Sequence, residues 1–464
     1  MPTLNARTVY VCQHCGSESP KWAGRCPQCA QWNSYVEHRP GPAARSFGAS
    51  EGGPVQPQEL AAVDSSRVQR ISLPFREVNR VLGGGIVPGS LTLIGGDPGI
   101  GKSTLLLQIA QAVASSDGDV LYISGEESPH QIKLRAQRLG LSGQRLLLLS
   151  ESNLDHVLGR LDEHRPALAV VDSIQAMYLD DVPSTAGSVA QVRECSLRLM
   201  RWAKVSETPV FIAGHVTKDG AIAGPKVLEH MVDVVLYLEG EGFSPYRILR
   251  GVKNRFGSTN DVGIFEMRDG GLAEVENPSA TFLAHRREAA RGSAIVATME
   301  GTRPLLVEIQ ALVTPTPLAA PRRVANGVDV NRLLLMAAVL TKHLRLGLSS
   351  QDVLLNVVGG LRIAEPAADA GIALAVVSSL WDVPLKAGCV VMGEVGLSGE
   401  LRPVSQVERR LGEAAALGFT SCILPEGSMS WGTGPPGVEL LPAATLGDAV
   451  RLGLAPGTRG EGAA

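Results

Sequence analysis

The segment Gly96-Asp97-Pro98-Gly99-Ile100-Gly101-Lys102-Ser103 has the spacing of a phosphate-binding loop. Its glycines let backbone N–H groups wrap an anion, and a helix starting behind them adds the positive end of its dipole. In that pattern Lys102 reaches the β and γ phosphates of ATP, the Ser103 hydroxyl ligates Mg²⁺, and Thr104 completes the nucleotide-binding set. Asp172 closes the apolar run LAVVD and stands where a second Mg²⁺-organising carboxylate belongs. Glu126 and Glu127 follow the run VLYIS, and either one there can orient and deprotonate an attacking water, with Glu126 preferred. Solvated loop acids are the competing explanation.

A second cluster lies at the N-terminus. Cys12, Cys15, Cys26 and Cys29 form C-x2-C-x10-C-x2-C, a spacing that brings four thiolates into a tetrahedron around Zn²⁺. So short a segment draws much of its folding energy from the metal. Trp22 and Trp32 flank the second pair and are expected to pack over the metal site rather than stack on bases. The remaining cysteines, Cys195, Cys389 and Cys422, sit singly in apolar contexts and are expected to be small core residues.

These groups need a scaffold. The runs 91–95, 120–124, 168–172, 210–214 and 232–238 are nearly continuously apolar, as strands of a parallel sheet covered on both faces are. Helical spacing between them, as in 103–114, makes this block α/β. Five segments follow along the chain: a four-cysteine zinc finger (1–38), a Pro/Gly/Ala/Ser-rich linker (39–59), the ATPase block (60–280), a C-terminal block (281–455) and a tail expected to be disordered (456–464). Within the C-terminal block, 328–346 and 367–381 predict helices and 389–404 predicts strands joined by glycine turns.

Bulk properties narrow the class. With 464 residues, 44% hydrophobic and 19% charged, the chain is long enough for two or three folded domains. A net charge of -3 argues against coating a polyanion by bulk charge, yet leaves room for a local basic stripe. No apolar run reaches the roughly 18 residues of a membrane span, and no signal-peptide layout opens the chain, so a cytoplasmic protein without membrane contact is expected.

The glutamate after the second strand and Asp172 after the third resemble the RecA/DnaB/KaiC class of ATPases. Lys253-Asn254-Arg255-Phe256-Gly257, taken with the N-terminal cysteines and the C-terminal block, resembles the RadA (Sms) family of bacterial DNA-repair proteins over nearly the whole chain. The residues alone leave three options for this pentapeptide: a DNA contact, an arginine finger reaching a neighbouring subunit's γ-phosphate, or a solvated basic turn. The resemblance implies that Lys253 and Arg255 act catalytically at a subunit boundary and couple nucleotide to DNA. It further implies a DNA-dependent ATPase in a hexameric ring. Such a ring moves on single-stranded DNA, promotes branch migration of recombination intermediates, and works beside a RecA-type recombinase. By the same analogy the loops 180–188 and 215–225 face the channel, with Lys218 and Lys226 supplying phosphate contacts alongside Lys253 and Arg255. His215 and Thr217 are alternative γ-phosphate sensors. An ATP-gated DNA-binding protein without motor activity is the alternative function.

The segment Val391–Glu400 (VMGEVGLSGE) resembles the Lon protease domain, so the expected fold is a mostly parallel RecA-like core between a zinc module and an α+β Lon-like domain. Lon enzymes use a Ser–Lys dyad, and the resemblance puts Asp369 at the serine and Glu408 at the lysine. A carboxylate is no hydroxyl nucleophile and a glutamate is no amine base, so no peptidase activity is expected. The clusters Arg286, Arg287, Arg291 and Arg322, Arg323 are candidate DNA contacts or simply a solvated charged face.

Overall fold

In the computed structural model, the described residues are 9–12, 18–28, 30–38, 59–62, 69–214, 228–240, 244–284, 286–287, 289–317, 320–431 and 434–455. Cys15, Cys29, most of the 39–59 linker, the loop 215–225 with His215, Thr217 and Lys218, then Lys226 and the tail lie outside them. The chain divides into two compact units, 1–239 with 247–274 and 240–246 with 275–464.

The first unit opens with a small antiparallel sheet, β1 (Val9–Cys12), β2 (Glu18–Ser19) and β3 (Tyr35–His38), in the order β2-β1-β3. After α1 (Arg76–Leu82) come β4 (Leu91–Gly95), α2 (Lys102–Ser116), β5 (Val120–Ser124), α3 (Pro129–Arg138) and β6 (Leu146–Ser150). Then follow α4 (Leu154–His164), β7 (Leu168–Asp172), α5 (Val189–Ser206), β8 (Val210–Ala213) and β9 (Val234–Glu239). Strands β10 (Tyr246–Asn254), β11 (Val262–Arg268) and β12 (Gly271–Glu274) finish a nine-stranded sheet ordered β12-β11-β10-β9-β4-β8-β7-β5-β6. The six strands from β9 to β6 are mutually parallel.

Alternation explains why the central strands read as unbroken apolar runs. Val120, Tyr122, Leu168 and Val170 pack with Leu105, Leu106 and Ile109 of α2 on one face. Leu121, Ile123, Ala169 and Val171 pack with Leu158 of α4 and Leu199 of α5 on the other. Each strand therefore buries both parities of side chain. Strand β6 was not among the expected strands, because its leucine run follows a helical stretch and Leu favours helix.

The second unit contains α6 (Pro278–Leu283), β13 (Ser293–Glu300), β14 (Arg303–Pro315), β15 (Arg323–Asn326), α7 (Val330–Leu344) and β16 (Gln351–Val357). Next are α8 (Asp369–Trp381), β17 (Cys389–Val391), the short hairpin β18 (Glu394–Val395) and β19 (Leu401–Arg402), and α9 (Val407–Ala416). Strands β20 (Ser421–Pro425) and β21 (Glu439–Ala443) and helix α10 (Leu446–Gly453) end it. Its seven-stranded sheet runs β15-β16-β14-β13-β17-β20-β21. Gly371 lets α8 press onto β13, since a Cβ there would sit 2.0 Å from Val296 Cγ1.

Arg410, on α9, is fully buried. Its guanidinium pairs with Glu365 and donates to the Ala297 carbonyl at 2.6 Å and the Ser405 carbonyl at 2.9 Å. Removing one partner of a buried ion pair leaves an uncompensated charge. Arg410→Ala is expected to destabilise the C-terminal unit by about 3–5 kcal/mol. Denaturant unfolding of the full chain would register this, and Glu408→Ala, on the exposed face of the same helix, is expected to change little.

Candidate active site

The phosphate loop leaves β4 at the carboxyl edge of the sheet and enters α2. Gly96, Gly99 and Gly101 take φ of 150°, 76° and 116°, backbone conformations that glycine adopts without the strain a side chain would bring. Gly96 also has no room for a side chain, because a Cβ would meet the Leu238 carbonyl oxygen at 2.5 Å. Lys102 is 5% exposed, and its ammonium donates to the Gly96 and Asp97 carbonyls at 2.8 and 3.0 Å. Burial pushes its pKa below the ordinary lysine value, against the pull of Asp172, Asp97 and Glu126. A buried cation in a glycine cradle at a helix N-terminus fits a triphosphate, and Ser103 in the first turn is placed for the metal that accompanies it.

Asp172 ends β7 beside this loop. Strand register pairs it with Ser124, and the Tyr122 phenol donates to its Oδ2 at 2.6 Å. Burial pushes the Tyr122 phenol well above its ordinary pKa, and the Asp172 charge adds to the effect. The two candidate glutamates diverge. Glu126 accepts a hydrogen bond from the Ser173 hydroxyl and acts electrostatically on Lys102. Glu127 turns to α3, where Arg135 holds it at 2.5 Å. Neither Tyr122, Ser173 nor Arg247, whose Nε donates to the Ile100 carbonyl at 3.2 Å, was singled out from sequence. The serine following Asp172 was the one local clue.

The basic pentapeptide lies elsewhere. Asn254 pairs with Val234, which in turn pairs with Thr92 near the start of β4. Its end of the sheet is therefore separated from the phosphate loop of the same chain by roughly 13 Å of strand. Lys253 donates to the Glu229 and His230 carbonyls at 2.7 and 3.3 Å. Burial, then the charge of Arg255, lower the Lys253 pKa. The half-exposed Arg255 side chain donates to Asp233 at 3.4 Å. Asp233 is 1% exposed and also receives Lys204 at 2.7 Å and the Leu91 N–H at 3.1 Å.

The loop 180–188 is pinned rather than loose: the buried Gln191 side chain donates to the Leu179, Val182 and Ser184 carbonyls at 3.0, 2.9 and 3.0 Å. In the zinc module the Cys12 and Cys26 sulfurs are buried beside Tyr35. The second knuckle closes through Cys26 N–H to Gln31 O at 2.8 Å and Ala30 N–H to Cys26 O at 2.9 Å. This donor chemistry and turn suit a tetrahedral thiolate site for zinc. The tryptophans depart from expectation. Trp22 and Trp32 are 55% and 70% exposed, turned outward around Gly24 with Arg25 stacked 5.7 Å over the Trp32 ring.

Family models match three stretches: an AAA domain at 56–221, a rubredoxin metal binding domain at 10–37, and subunit ChlI of Mg-chelatase at 336–428. DNA repair protein RadA of Bacillus subtilis (strain 168) is 51% identical over 97% of this chain and 99% of its own length. The protein of the same name from Listeria monocytogenes serovar 1/2a is 51% identical over 98% of this chain and 100% of its own length. That from Streptococcus pyogenes serotype M1 is 48% identical over 95% and 97%. The chain belongs to the DNA repair protein RadA family. It carries an ATPase domain of the AAA class and a zinc-binding ribbon. No described helix is long and apolar enough to cross a membrane.

In the C-terminal unit of this RadA family member, Asp369 is buried at the start of α8. Arg332 grips it through two hydrogen bonds, of 2.6 and 3.0 Å. Burial raises the Asp369 pKa and Arg332 opposes the rise. Glu408 is exposed on α9. The basic clusters are largely engaged within the unit. Arg291 pairs with Asp382, Arg322 with Asp352, Arg323 with backbone carbonyls, and Arg286 stacks on Phe419.

Gly96→Ala is expected to lower ATP affinity at least about tenfold, because the new methyl must displace the Leu238 carbonyl and reshape the cradle. Equilibrium binding of a fluorescent nucleotide checks this, with circular dichroism to confirm the fold.

Proposed function

We propose that this chain is a DNA-dependent ATPase motor that assembles as a hexameric ring. On this proposal it translocates on single-stranded DNA and promotes branch migration of recombination intermediates together with a RecA-type recombinase. The observation that carries the proposal is the position of Lys253 and Arg255, at the end of the sheet opposite their own phosphate loop. From there they serve the nucleotide of a neighbouring subunit, as an arginine finger does. Lys253 also holds the backbone just after the 215–225 loop, a physical link between the nucleotide-facing motif and a DNA-facing segment.

In this mechanism Lys102 and the loop N–H groups neutralise the phosphates. Mg²⁺, held through Ser103 and Asp172, would supply charge stabilisation at the transferred phosphoryl group. Glu126, steadied by Ser173, orients and deprotonates the water, while Glu127 anchors α3 through Arg135. The Asp369–Arg332 pair and the exposed Glu408 support a C-terminal unit without peptidase activity, acting as an assembly platform.

Steady-state hydrolysis with and without single-stranded DNA tests the proposal. DNA is expected to stimulate the wild type, and Lys102→Ala and Arg255→Ala to abolish the stimulation. Hydrolysis that ignores both DNA and Arg255→Ala would instead favour an ATP-gated binding protein. Glu126→Gln is expected to lower kcat about 10²–10⁴-fold. Glu127→Gln, by contrast, should change kcat by only a few fold.

A further inference from the structure

Tyr122 is a buried polar side chain that the hydrolysis machinery leaves unexplained. It sits in the middle of β5, 1% exposed, on the face packed against α2. A phenylalanine would bury the same ring there without a hydroxyl to satisfy. The register supplies the reason for the hydroxyl. Tyr122 is paired with Val170 and Ser124 with Asp172, so Tyr122 and Asp172 share a face and lie on a diagonal. A long side chain spans that diagonal, and the phenol meets Asp172 Oδ2 at 2.6 Å. Among the described residues it is the one hydrogen-bond donor to this carboxylate.

We propose that Tyr122 is a positioning residue for hydrolysis: its phenol fixes the Asp172 carboxylate so that Oδ1 is the oxygen presented to the nucleotide-bound metal. Asp172 stands half-buried at the end of β7, and without a partner its carboxylate is free to turn about its side-chain torsions. A single donor on Oδ2 removes that freedom and leaves the other oxygen free for the metal's water shell. The role belongs to the metal-bound state, so it should be invisible to nucleotide binding without metal. This rests on the assignment of Asp172 as the metal-organising carboxylate.

The test uses the full-length chain, its Tyr122→Phe and Asp172→Asn variants, and the double variant. Mn²⁺ affinity of the ADP-bound protein is read by electron paramagnetic resonance, alongside ADP affinity in EDTA. Tyr122→Phe is expected to weaken Mn²⁺ binding about tenfold, as loss of one hydrogen bond to a charged group does. ADP affinity in EDTA and the melting temperature should stay as in the wild type. In the Asp172→Asn background the Tyr122 change should add less than about twofold, since its effect runs through the carboxylate. Wild-type Mn²⁺ affinity in Tyr122→Phe, with Asp172→Asn impaired, would overturn the proposal alone. Wild-type affinity in Asp172→Asn would overturn the assignment of Asp172 as well. Additive losses, or weaker ADP binding in EDTA, would mark Tyr122 as a packing residue and overturn the positioning role.

Discussion

The central constraint in the first unit is a parallel sheet covered on both faces. Strands β4, β5, β7 and β8 have no solvent side, so a polar group along them needs a partner inside the protein. Chemistry is thereby driven to the strand ends. Lys102 enters from α2, Glu126 from the turn after β5, and Asp172 from the tip of β7. Strand register brings these three together, although they are spread over 71 residues of sequence between Lys102 and Asp172. Tyr122 breaks the rule of an apolar interior, and it does so where a carboxylate at the strand end can accept its hydrogen bond.

The same geometry divides one chain's functional groups between two edges. Strand β4 runs from the Asp233 hub to the phosphate loop, because the Leu91 N–H is bonded to Asp233 and Gly95 leads into Gly96. Arg255 holds Asp233 weakly from a half-exposed position, whereas Lys204 holds it closely. Arg255 can therefore leave without stranding a buried charge, since Lys204 continues to neutralise Asp233. A cation that can leave at low cost suits a proposed contact with a second subunit. A cation locked in a buried pair, such as Arg410, does not.

Local features were the most legible ones in the sequence. The phosphate loop, the strand ahead of it and the helix behind it are contiguous, so spacing alone identifies them. The central strands were equally plain because both parities of side chain are apolar. Pairings that depend on register were hidden. Tyr122 and Asp172 are 50 positions apart, and a one-residue slip would point them to opposite faces. Glu126 and Glu127 are adjacent and chemically identical. What separates them is Ser173 on one side and Arg135 on the other, and neither partner is visible in the local pattern. Trp22 and Trp32 misled because a large aromatic near cysteines suggests a core. A ribbon this small has too little interior to cover them.

In the C-terminal unit, the position that the Lon resemblance aligns with a serine holds a buried ion pair. A serine at position 369 would need no counter-ion, but a buried aspartate needs one, and Arg332 provides it with two hydrogen bonds while the Val395 N–H adds a third at 3.2 Å. Asp369 and Arg332 thus form one bidentate pair whose carboxylate is buried. A serine at position 369 would leave the Arg332 guanidinium without its carboxylate in a partly buried site. It would also find no amine at position 408, where the side chain points outward, while the inward cation of that helix, Arg410, is committed to Glu365.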